Sequence, residues 1–545
     1  MAVFVNAFLQ KSIDKAIIKQ YNEVKYLHWR NTVMKRFICI LLAVMLLTAT
    51  LLSCAQPGDD DNGETTPADT TAAVGGDVAD ADGDETTVDN TPVSLDPLPE
   101  DLRFDGEVIR VISQERDWVR DEVTVDDQNG EPVNDAVYNR QMAVENRLGV
   151  KITNFKTGGS DAWAVPNLLV NLVLAGTDDY DLVFNSTYTL IAKTTEGIYH
   201  NLYDVPNLDL ENEWWAQYYN KQVSIGNAQY ICAGDANVSL KRMTFVTMFN
   251  QAVFDQYGVE DIYQVVRDGK WTIDYQTQLS SGMYQDLNGN NTRDENDFFG
   301  FVTNANIIGV DPYFASCELP ILSKNSANTY EYTFTGERIV DAATAVCKLI
   351  WENDGAWSFV HTTGDAEQDQ IADCFAAGNA AMVTLRLLNA SNASVRNMKD
   401  KYGILPIPKL EESQQTYFSH AHDQFCSIAV PRTVKDDKLD AVGATLEYFA
   451  YKSREIVTPA YYEVTLKSKY VADEESGEML DLIFANMNVN AGNLYYNALN
   501  KVSDQWRSAI GSNLPAGLPA RIKAYERTVP KALTTLQDAI LKNQD

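Results

Sequence analysis

Several signatures of common enzyme classes are missing from this sequence of 545 residues. It has no nucleophile elbow, no zinc-binding HExxH, no Walker loop and no glycine-rich dinucleotide fingerprint. There are five histidines, and the seven cysteines show no spacing typical of a metal site. These absences argue against metalloproteases, ATPases, dehydrogenases and esterases. We therefore expect a protein without an enzymatic activity of its own and without an organic cofactor.

Basic residues are absent from Ala55–Glu100, which holds 13 Asp or Glu residues among many Thr, Gly, Ala and Pro. Such a segment cannot bury enough apolar surface to order itself, so we predict a disordered acidic tether over 54–100. The whole chain has a formal charge of −32. A field of that sign repels nucleic acid, so no nucleic-acid partner is expected, and it suits a neutral or cationic small molecule.

Long apolar stretches are scarce, and one of them has the form of a secretory signal over 34–53. Lys35 and Arg36 precede Phe37–Leu52, whose 16 uncharged residues fall short of the roughly 20 that a membrane-spanning helix needs. The tetrapeptide Leu51–Cys54 resembles the lipobox of bacterial lipoproteins. That resemblance implies export, a lipid such as palmitate on Cys54, and attachment to the extracellular face of the cytoplasmic membrane.

Residues 1–33 precede this signal and contain no cleavage pattern of their own. We interpret them as an extension that results from a wrongly assigned start codon. A genuine extension with a cytoplasmic role is the alternative. Neither interpretation enters the prediction of the fold.

The folded part begins near Asp101 with alternating strand and helix patterns. The predicted elements are a strand at Val108–Ile112, a helix at 133–148 ended by Gly149, a strand at Val150–Phe155, a helix at Asn167–Leu174 ended by Gly176, and a strand at Tyr180–Phe184. This order predicts a parallel sheet with crossover helices. Ligands bind outside the carboxyl ends of such strands, which places Asn185–Tyr188 at the rim of a site.

Short pieces of the remaining sequence resemble, in order, the extracellular solute-binding proteins (family 1) of bacterial ABC importers, in the branch that binds carbohydrates. The pieces are Phe104-Asp105-Gly106, Ala136–Arg140, Tyr180–Val183, Leu202–Pro206, Trp214-Trp215, Phe249-Asn250-Gln251, Tyr257-Gly258, Asp268–Thr272 and Tyr402–Pro408. The resemblance implies an α/β fold of the periplasmic-binding-protein type II. In it, two lobes, each a mostly parallel sheet flanked by helices, enclose a ligand cleft. Lobe one is then 101–242 with 427–455, and lobe two is 243–426 with 456–545.

Position and resemblance together predict which residues contact a sugar. Aromatic rings cover the apolar faces of sugars, while Asp, Asn and Arg bond their hydroxyl groups. The expected ligand-binding residues are Ser186, Tyr188, Asp235, Asn237, Tyr313, Arg386, His422, Asp423 and Tyr496. The aromatics have packing as their alternative role, Arg386 a structural ion pair, and His422 a place in a surface loop.

The segment Asp286–Asp297 has oxygen-bearing side chains at the ligand positions of a 12-residue calcium loop. The predicted ligands are Asp286, Asn288, Asn290, Thr292 through its carbonyl, Asp294 and Asp297. The loop resembles the dockerin variety but has Asn291 where glycine is usual, and asparagine tolerates the left-handed backbone of that position. We expect a structural Ca²⁺ that braces lobe two. The alternative is a polar turn without metal.

The function expected from these features is that of a monomeric, lipid-anchored, extracellular substrate-binding component of an ABC transporter. It captures a sugar or oligosaccharide and delivers it to the permease. A secreted glycoside hydrolase is one alternative, since it needs only two suitably separated carboxylates in an acidic chain. A surface protein that captures polysaccharide and a binder of peptides or polyamines are the others.

Overall fold

The computed structural model describes residues 96–116, 118–119, 121–157, 161–359, 365–462 and 473–543. The predicted signal, Cys54 and the tether up to residue 95 lie outside the described residues. The described residues belong to one compact unit. Leu98 is buried in it, and Asp96 pairs with Arg147 at 2.7 Å, so the folded unit already includes residues that the sequence assigned to the tether.

The strands account for two main sheets and one hairpin. In chain order they are β1 (Val108–Gln114), β2 (Lys151–Thr157), β3 (Leu182–Ser186), β4 (Phe245–Asn250), β5 (Tyr284–Gln285), β6 (Phe298–Asn304), β7 (Leu322–Lys324), β8 (Tyr330–Tyr332), β9 (Ala356–Phe359), β10 (Ala380–Arg386), β11 (Tyr402–Leu405) and β12 (Cys426–Ala429).

The α-helices surround these sheets. They are α1 (Pro132–Leu148), α2 (Ala164–Ala175), α3 (Thr187–Ile191), α4 (Gln217–Val223), α5 (Val238–Arg242), α6 (Gln251–Tyr257), α7 (Ile262–Arg267), α8 (Ile273–Ser280), α9 (Ile307–Ser316), α10 (Glu337–Cys347), α11 (Asp365–Ala376), α12 (Ala393–Arg396), α13 (Asp436–Lys452), α14 (Glu474–Ala485), α15 (Ala491–Leu494), α16 (Asp504–Gly511), α17 (Leu518–Lys523) and α18 (Thr528–Lys542). Within the described ranges, none of the helices is both long and apolar enough to cross a bilayer.

Lobe one is built on a four-stranded sheet with the order β12-β3-β1-β2. β1 pairs in parallel with both β2 and β3, while β12 pairs antiparallel with β3. The two crossover helices end as predicted, because Gly149 and Gly176 both adopt φ of 69°, a left-handed conformation that glycine takes without strain. The opening strand–helix–strand–helix–strand prediction is therefore confirmed.

Lobe two is built on a mixed sheet with the order β11-β4-β10-β6-β5, in which β9 also pairs with β6. Only the pairs β10–β6 and β6–β9 are parallel, and the others are antiparallel. The two α/β lobes are confirmed, but this sheet is less parallel than expected. One reason is that β5 and β6 are consecutive strands joined by the polar loop 286–297, which contains no crossover helix, and an antiparallel pair needs none.

Hinge segments connect the two lobes. The first segment lies at 243–245 and the second at 419–422. Phe245 donates its backbone N–H to the carbonyl of His420 at 2.9 Å, and His422 donates its backbone N–H to the carbonyl of Met243 at 2.9 Å. The third segment, at 486–488, bonds to the second, where Asn488 donates its backbone N–H to the carbonyl of Ser419 at 2.8 Å. Because the three segments bond to each other by their backbones, they cross between the lobes as one unit.

The C-terminal part of the chain is shared between the lobes, whereas the predicted division gave all of it to lobe two. α14 packs against β11, and α16 packs against α10, so both belong to lobe two. The last helix, α18, packs both beside the turn 194–196 of lobe one and against β8. On the lobe-one side, Tyr230 donates its hydroxyl to the carbonyl of Ile540 at 2.9 Å, which fixes the helix to that lobe.

Candidate functional site: a cleft between the lobes

A cavity of about 340 Å³ lies between the two lobes, beside the carboxyl end of β3. Trp163 and Tyr188 come from lobe one, and Asp311 comes from lobe two. The second hinge segment contributes its stretch 420–424, and the C-terminal stretch 490–497 forms a further wall. Both lobes and the hinge therefore contribute side chains to a single cavity, which we call the cleft.

The lobe-one wall follows from the way β3 ends. Ser186 closes the strand and is fully buried, with its hydroxyl bonded to the amide of Gln114 at 2.9 Å, so it lies behind the wall and does not line the cleft as predicted. The chain then turns into α3, and the ring of Tyr188 meets Trp163 edge-on at 5.9 Å between ring centroids. Burial raises the pKa of Tyr188, so its hydroxyl stays protonated at neutral pH and can donate to a ligand.

An ion-pair network joins lobe two to the C-terminal wall. The guanidinium of Arg507 donates to both carboxylate oxygens of Asp311, from Nε at 2.9 Å and from Nη2 at 2.7 Å. Its Nη1 donates to Asp504 at 3.0 Å, and Asp504 also accepts the hydroxyl of Tyr496 at 2.6 Å. A bidentate pair of this kind holds its geometry well, so it fixes the position of Tyr496 at the cleft.

Asp423 is the carboxylate that this network leaves out. Its side chain is 37% exposed, toward the cleft, and its nearest ionisable partner is the Nε2 atom of His422 at 3.6 Å. The loss of hydration raises the pKa of Asp423 to about 6, a shift that Arg507 opposes and Asp311 reinforces. Burial and the charge of Arg386 hold the pKa of His422 well below its usual value. His422 is therefore neutral at pH 7, and the Asp423 carboxylate faces the cleft ready to accept hydrogen bonds.

Arg386 lies behind the cleft. It is 2% exposed, and its Nη1 donates to Gln424 at 3.2 Å and lies 3.4 Å from Nδ1 of His422. Its guanidinium carbon also stands 6.0 Å from the ring centroid of Trp118. The arginine thus orients two residues of the cleft wall, and we assign it this positioning role in place of the predicted ligand contact.

Three further predicted contacts lie elsewhere. Tyr313 is fully buried in lobe two, where its hydroxyl donates to Gln276 at 3.0 Å, so it does not stack on a ligand. Asn237 is also fully buried and accepts the backbone N–H of Gly234 at 3.2 Å. Asp235 pairs with Lys241 at 2.5 Å in a separate groove at the hinge. None of these three side chains lines the cleft, so the predicted ligand contacts at these positions are wrong.

That hinge groove is larger than the cleft, at about 610 Å³. Its charged groups are already paired, since Asp235 also bonds Arg454 at 3.3 Å. The indole N–H groups of Trp214 and Trp215, which line it, both donate to the buried carboxylate of Glu447 at 3.0 Å. The charged groups of the groove are therefore engaged with one another, whereas the cleft presents Asp423, and we take the cleft as the functional site.

The polar loop 286–297 satisfies its own oxygens. Asp286 accepts the backbone N–H groups of Gly289 at 2.7 Å and Asn291 at 2.8 Å, and Asp294 accepts the side-chain amide of Asn290 at 2.8 Å. Asn291 has φ of 56°, the left-handed conformation expected for it. In the part of the chain that the structure describes, no three acidic, His or Cys side chains are placed to hold a metal together. Calcium binding by Asp286, Asn288, Asn290, Thr292, Asp294 and Asp297 stays a prediction.

No protein-family model and no curated protein sequence matches the chain. Among solved structures, it is similar to an ABC transporter solute-binding protein of Thermotoga lettingae bound with α-D-tagatose, with 12% identity over 78% of this chain and 100% of that one, and a TM-score of 0.49. It is also similar to the apo form of RafE from Streptococcus pneumoniae, with 16% identity over 77% and 97% of the chains and a TM-score of 0.49. A third is an ABC substrate-binding protein of Listeria monocytogenes in complex with cycloalternan, with 15% identity over 80% and 99% and a TM-score of 0.45.

Proposed function

We propose that this protein is the solute receptor of a bacterial ABC importer, which captures a sugar in the cleft and delivers it to the permease without changing it chemically. The observation that supports this most directly is the cleft itself, to which both lobes and the hinge contribute side chains. A solute that contacts both lobes binds the closed arrangement best and so shifts the protein toward it. A permease can then distinguish the loaded receptor from the empty one by the arrangement of its lobes.

The side chains of the cleft suit a neutral, hydroxyl-rich ligand. Trp163, Tyr188 and Tyr496 supply aromatic surface for the C–H face of a sugar ring, and Asp423 supplies a carboxylate for its hydroxyl groups. Asn493 adds a side-chain amide that can donate and accept. Such a combination of flat apolar surface and bonding groups is what carbohydrate recognition requires.

The engagement of the cleft carboxylates favours a receptor over a glycoside hydrolase. A hydrolase needs a pair of carboxyl groups that are free to exchange protons or attack the sugar. Asp311 is held by two bonds from Arg507, and Asp504 is bonded to Arg507 and Tyr496. Among the described aspartates at or beside the cleft, Asp423 alone lacks such bonds, which fits binding better than acid–base catalysis by a pair.

A thermal-shift screen of the chain from Ala55 onward tests the proposal. A ligand present at a hundred times its dissociation constant stabilises the folded state by about 2.7 kcal/mol. We expect at least one mono- or oligosaccharide to raise the melting temperature, and no sugar to be hydrolysed in a reducing-end assay. A rise with peptides or polyamines but with no sugar would contradict the substrate class, and released reducing ends would contradict the absence of chemistry.

We also propose that the receptor is anchored to the membrane by a lipid on Cys54. The support is the sequence alone: a basic start, an apolar run and the Leu-Leu-Ser-Cys ending. Mass spectrometry of the N-terminal peptide of the mature protein decides this point. A peptide that begins at Cys54 with added acyl mass supports the anchor, and an unmodified Cys54 within a longer peptide refutes it.

Calcium is expected to stabilise lobe two through the loop 286–297. Millimolar Ca²⁺ should raise the melting temperature and a chelator should reverse the rise, because an ion that binds only the folded state stabilises it. Asp286→Ala removes the first ligand position and should abolish the response. Glu295→Ala is the matched control, because Glu295 lies in the same loop at a position that supplies no ligand. An equal response from both variants would refute this loop as the binding site.

A further inference from the structure

The edge of the lobe-two sheet borders a second cavity of about 460 Å³, which we call the edge pocket. All of β9 lines it, and among the described strands β9 pairs only with β6. The other lining residues come from the stretch 350–353, from Gln370 of α11, and from Arg293 and Glu295 of the polar loop. Among the described residues, none that lines the edge pocket also lines the cleft.

Three aromatic side chains, those of Trp351, Trp357 and Phe359, give the edge pocket its flat apolar surface. Alternate residues of a strand share a face, so Trp357 and Phe359 lie on the same face of β9, with 6.4 Å between their ring centroids. Trp357 also stacks on Phe299 of the neighbouring strand at 5.3 Å. Trp351 donates its indole N–H to the carbonyl of Ile510 at 2.7 Å. Both indole rings are therefore held in place, and both stay partly exposed.

Two polar groups of the edge pocket have no hydrogen-bond partner among the described residues. They are the side-chain hydroxyl of Ser358, a residue that is only 7% exposed, and the indole N–H of Trp357. Buried polar groups are nearly always bonded in folded proteins, because an unsatisfied one costs stability. Both residues line the pocket, so a ligand that carries hydroxyl groups can supply the missing bonds.

The charges of the edge pocket favour a neutral ligand. Arg293 and Glu295 are the charged residues among those that line it, and their charges cancel. The guanidinium of Arg293 donates to the carbonyl of Ala356 and lies 5.2 Å from the ring centroid of Phe299, which fixes its position. Gln370 is exposed and adds an amide that can donate and accept. Aromatic surface beside uncharged bonding groups matches the apolar face and the hydroxyl groups of a sugar ring.

We propose that the edge pocket is a second saccharide site, which binds one neutral sugar ring at the side of lobe two. Trp357 and Phe359 cover its C–H face, while the Ser358 hydroxyl and the indole N–H of Trp357 bond to its hydroxyl groups. This inference goes beyond the proposed function. A sugar held by lobe two alone has no differential contact with the open and closed arrangements, so it does not shift the protein between them. The edge pocket therefore retains sugar without signalling a loaded cleft.

Equilibrium dialysis of the chain from Ala55 onward against labelled D-glucose, D-galactose, maltose and raffinose counts the sugar bound per protein and tests the inference. Ser358→Ala should weaken the edge pocket by roughly two- to twelvefold, the value of one net hydrogen bond. It should not lower the melting temperature, because no bond within the described protein is lost. Thr247→Val is the matched control, since Thr247 is buried on β4, its hydroxyl also has no partner among the described residues, and it lines neither cavity.

The expected result is two sugars bound per protein for at least one of these ligands. Asp423→Asn then weakens one site, Ser358→Ala weakens the other, and Thr247→Val weakens neither. A single site that responds to Asp423→Asn but not to Ser358→Ala overturns the inference and leaves the receptor function intact. Equal weakening of both sites by Ser358→Ala also overturns it, because the residue then acts through the fold. Binding of indole or adenosine in the edge pocket, with no sugar there, overturns the ligand class. Absence of binding to every sugar removes the proposed function and the inference together.

Discussion

Asp423→Asn is expected to weaken sugar binding by roughly ten- to a hundredfold, the loss that follows when a hydrogen bond to a charged group is weakened. At the same time, it should raise the melting temperature of the ligand-free protein. Asp423 faces the cleft and its side chain has no hydrogen-bonded partner among the described residues, and its pKa is raised to about 6. A carboxylate in this state costs stability until a ligand bonds to it, and asparagine removes that cost together with the bonding capacity.

The same pKa determines how the stability of the ligand-free protein changes with pH. The ordinary pKa of an aspartate is about 3.9, so above pH 6 the folded protein carries an ionised group that it would hold more easily in the protonated form. This penalty is complete above about pH 6 and disappears as the pH falls toward 4. Sugar affinity should change in the opposite sense, falling by up to about tenfold between pH 7 and pH 5 as the acceptor is protonated.

Calorimetry and thermal unfolding of both proteins at pH 5, 6 and 7 check this prediction. The variant keeps His420 and His422, so any pH dependence that remains in it belongs to those or other groups. Asp178→Asn is the control, because Asp178 is a surface carboxylate that pairs with Lys435 at 3.5 Å and does not line the cleft. Equal affinities of the unmodified protein and Asp423→Asn at pH 7 would show that Asp423 does not bind the sugar.

Glu447→Ala is expected to lower the free energy of unfolding by about 3–5 kcal/mol, since unsatisfied buried donors cost about 1–3 kcal/mol each. Glu447 is 1% exposed on α13. Its carboxylate accepts the two indole N–H groups of Trp214 and Trp215, the side-chain amide of Asn212 at 2.7 Å and the backbone N–H of Asp209 at 3.2 Å. Alanine leaves all four donors without an acceptor and a void where the side chain was.

Chemical denaturation with urea, followed by tryptophan fluorescence, measures this loss directly. Glu455→Ala is the control from the turn that follows the same helix, where Glu455 forms an ion pair with Lys452 at 2.5 Å on the surface. A surface pair of this kind contributes about 0–1 kcal/mol. If both variants unfold at the same urea concentration, the four bonds to Glu447 do not hold the 209–215 segment to α13 as we describe.

The fold of lobe one was predictable because its signals are local. Apolar periodicity marked β1, β2 and β3, and glycines that end helices are recognisable from sequence because the left-handed backbone favours them. The sheet of lobe two was less predictable. Its strand directions depend on which distant strands become neighbours, and no local pattern encodes that choice.

The candidate site was predicted only in part, because local position in the sequence identified some of its residues but not the contacts between distant ones. Tyr188, His422, Asp423 and Tyr496 line the cleft as expected from their places after strands, before the hinge and near the C-terminus. The pair between Asp311 and Arg507 was missed, because the two residues are 196 positions apart and neither stands in a motif. Tyr313 was misplaced because an aromatic next to a proline in an apolar helix has the same appearance in sequence whether it faces a ligand or the core.

The order of the strands along the chain bears on the order in which the two lobes can fold during synthesis. The sheet of lobe two is contained in one continuous stretch, from β4 to β11, whereas the sheet of lobe one needs β12, which follows it. A chain that emerges from its amino end can therefore finish the second lobe before the first, and pairings across such long separations form slowly. The wall at 490–497 emerges later still. The cleft therefore has all of its walls only when nearly the whole chain has been synthesised.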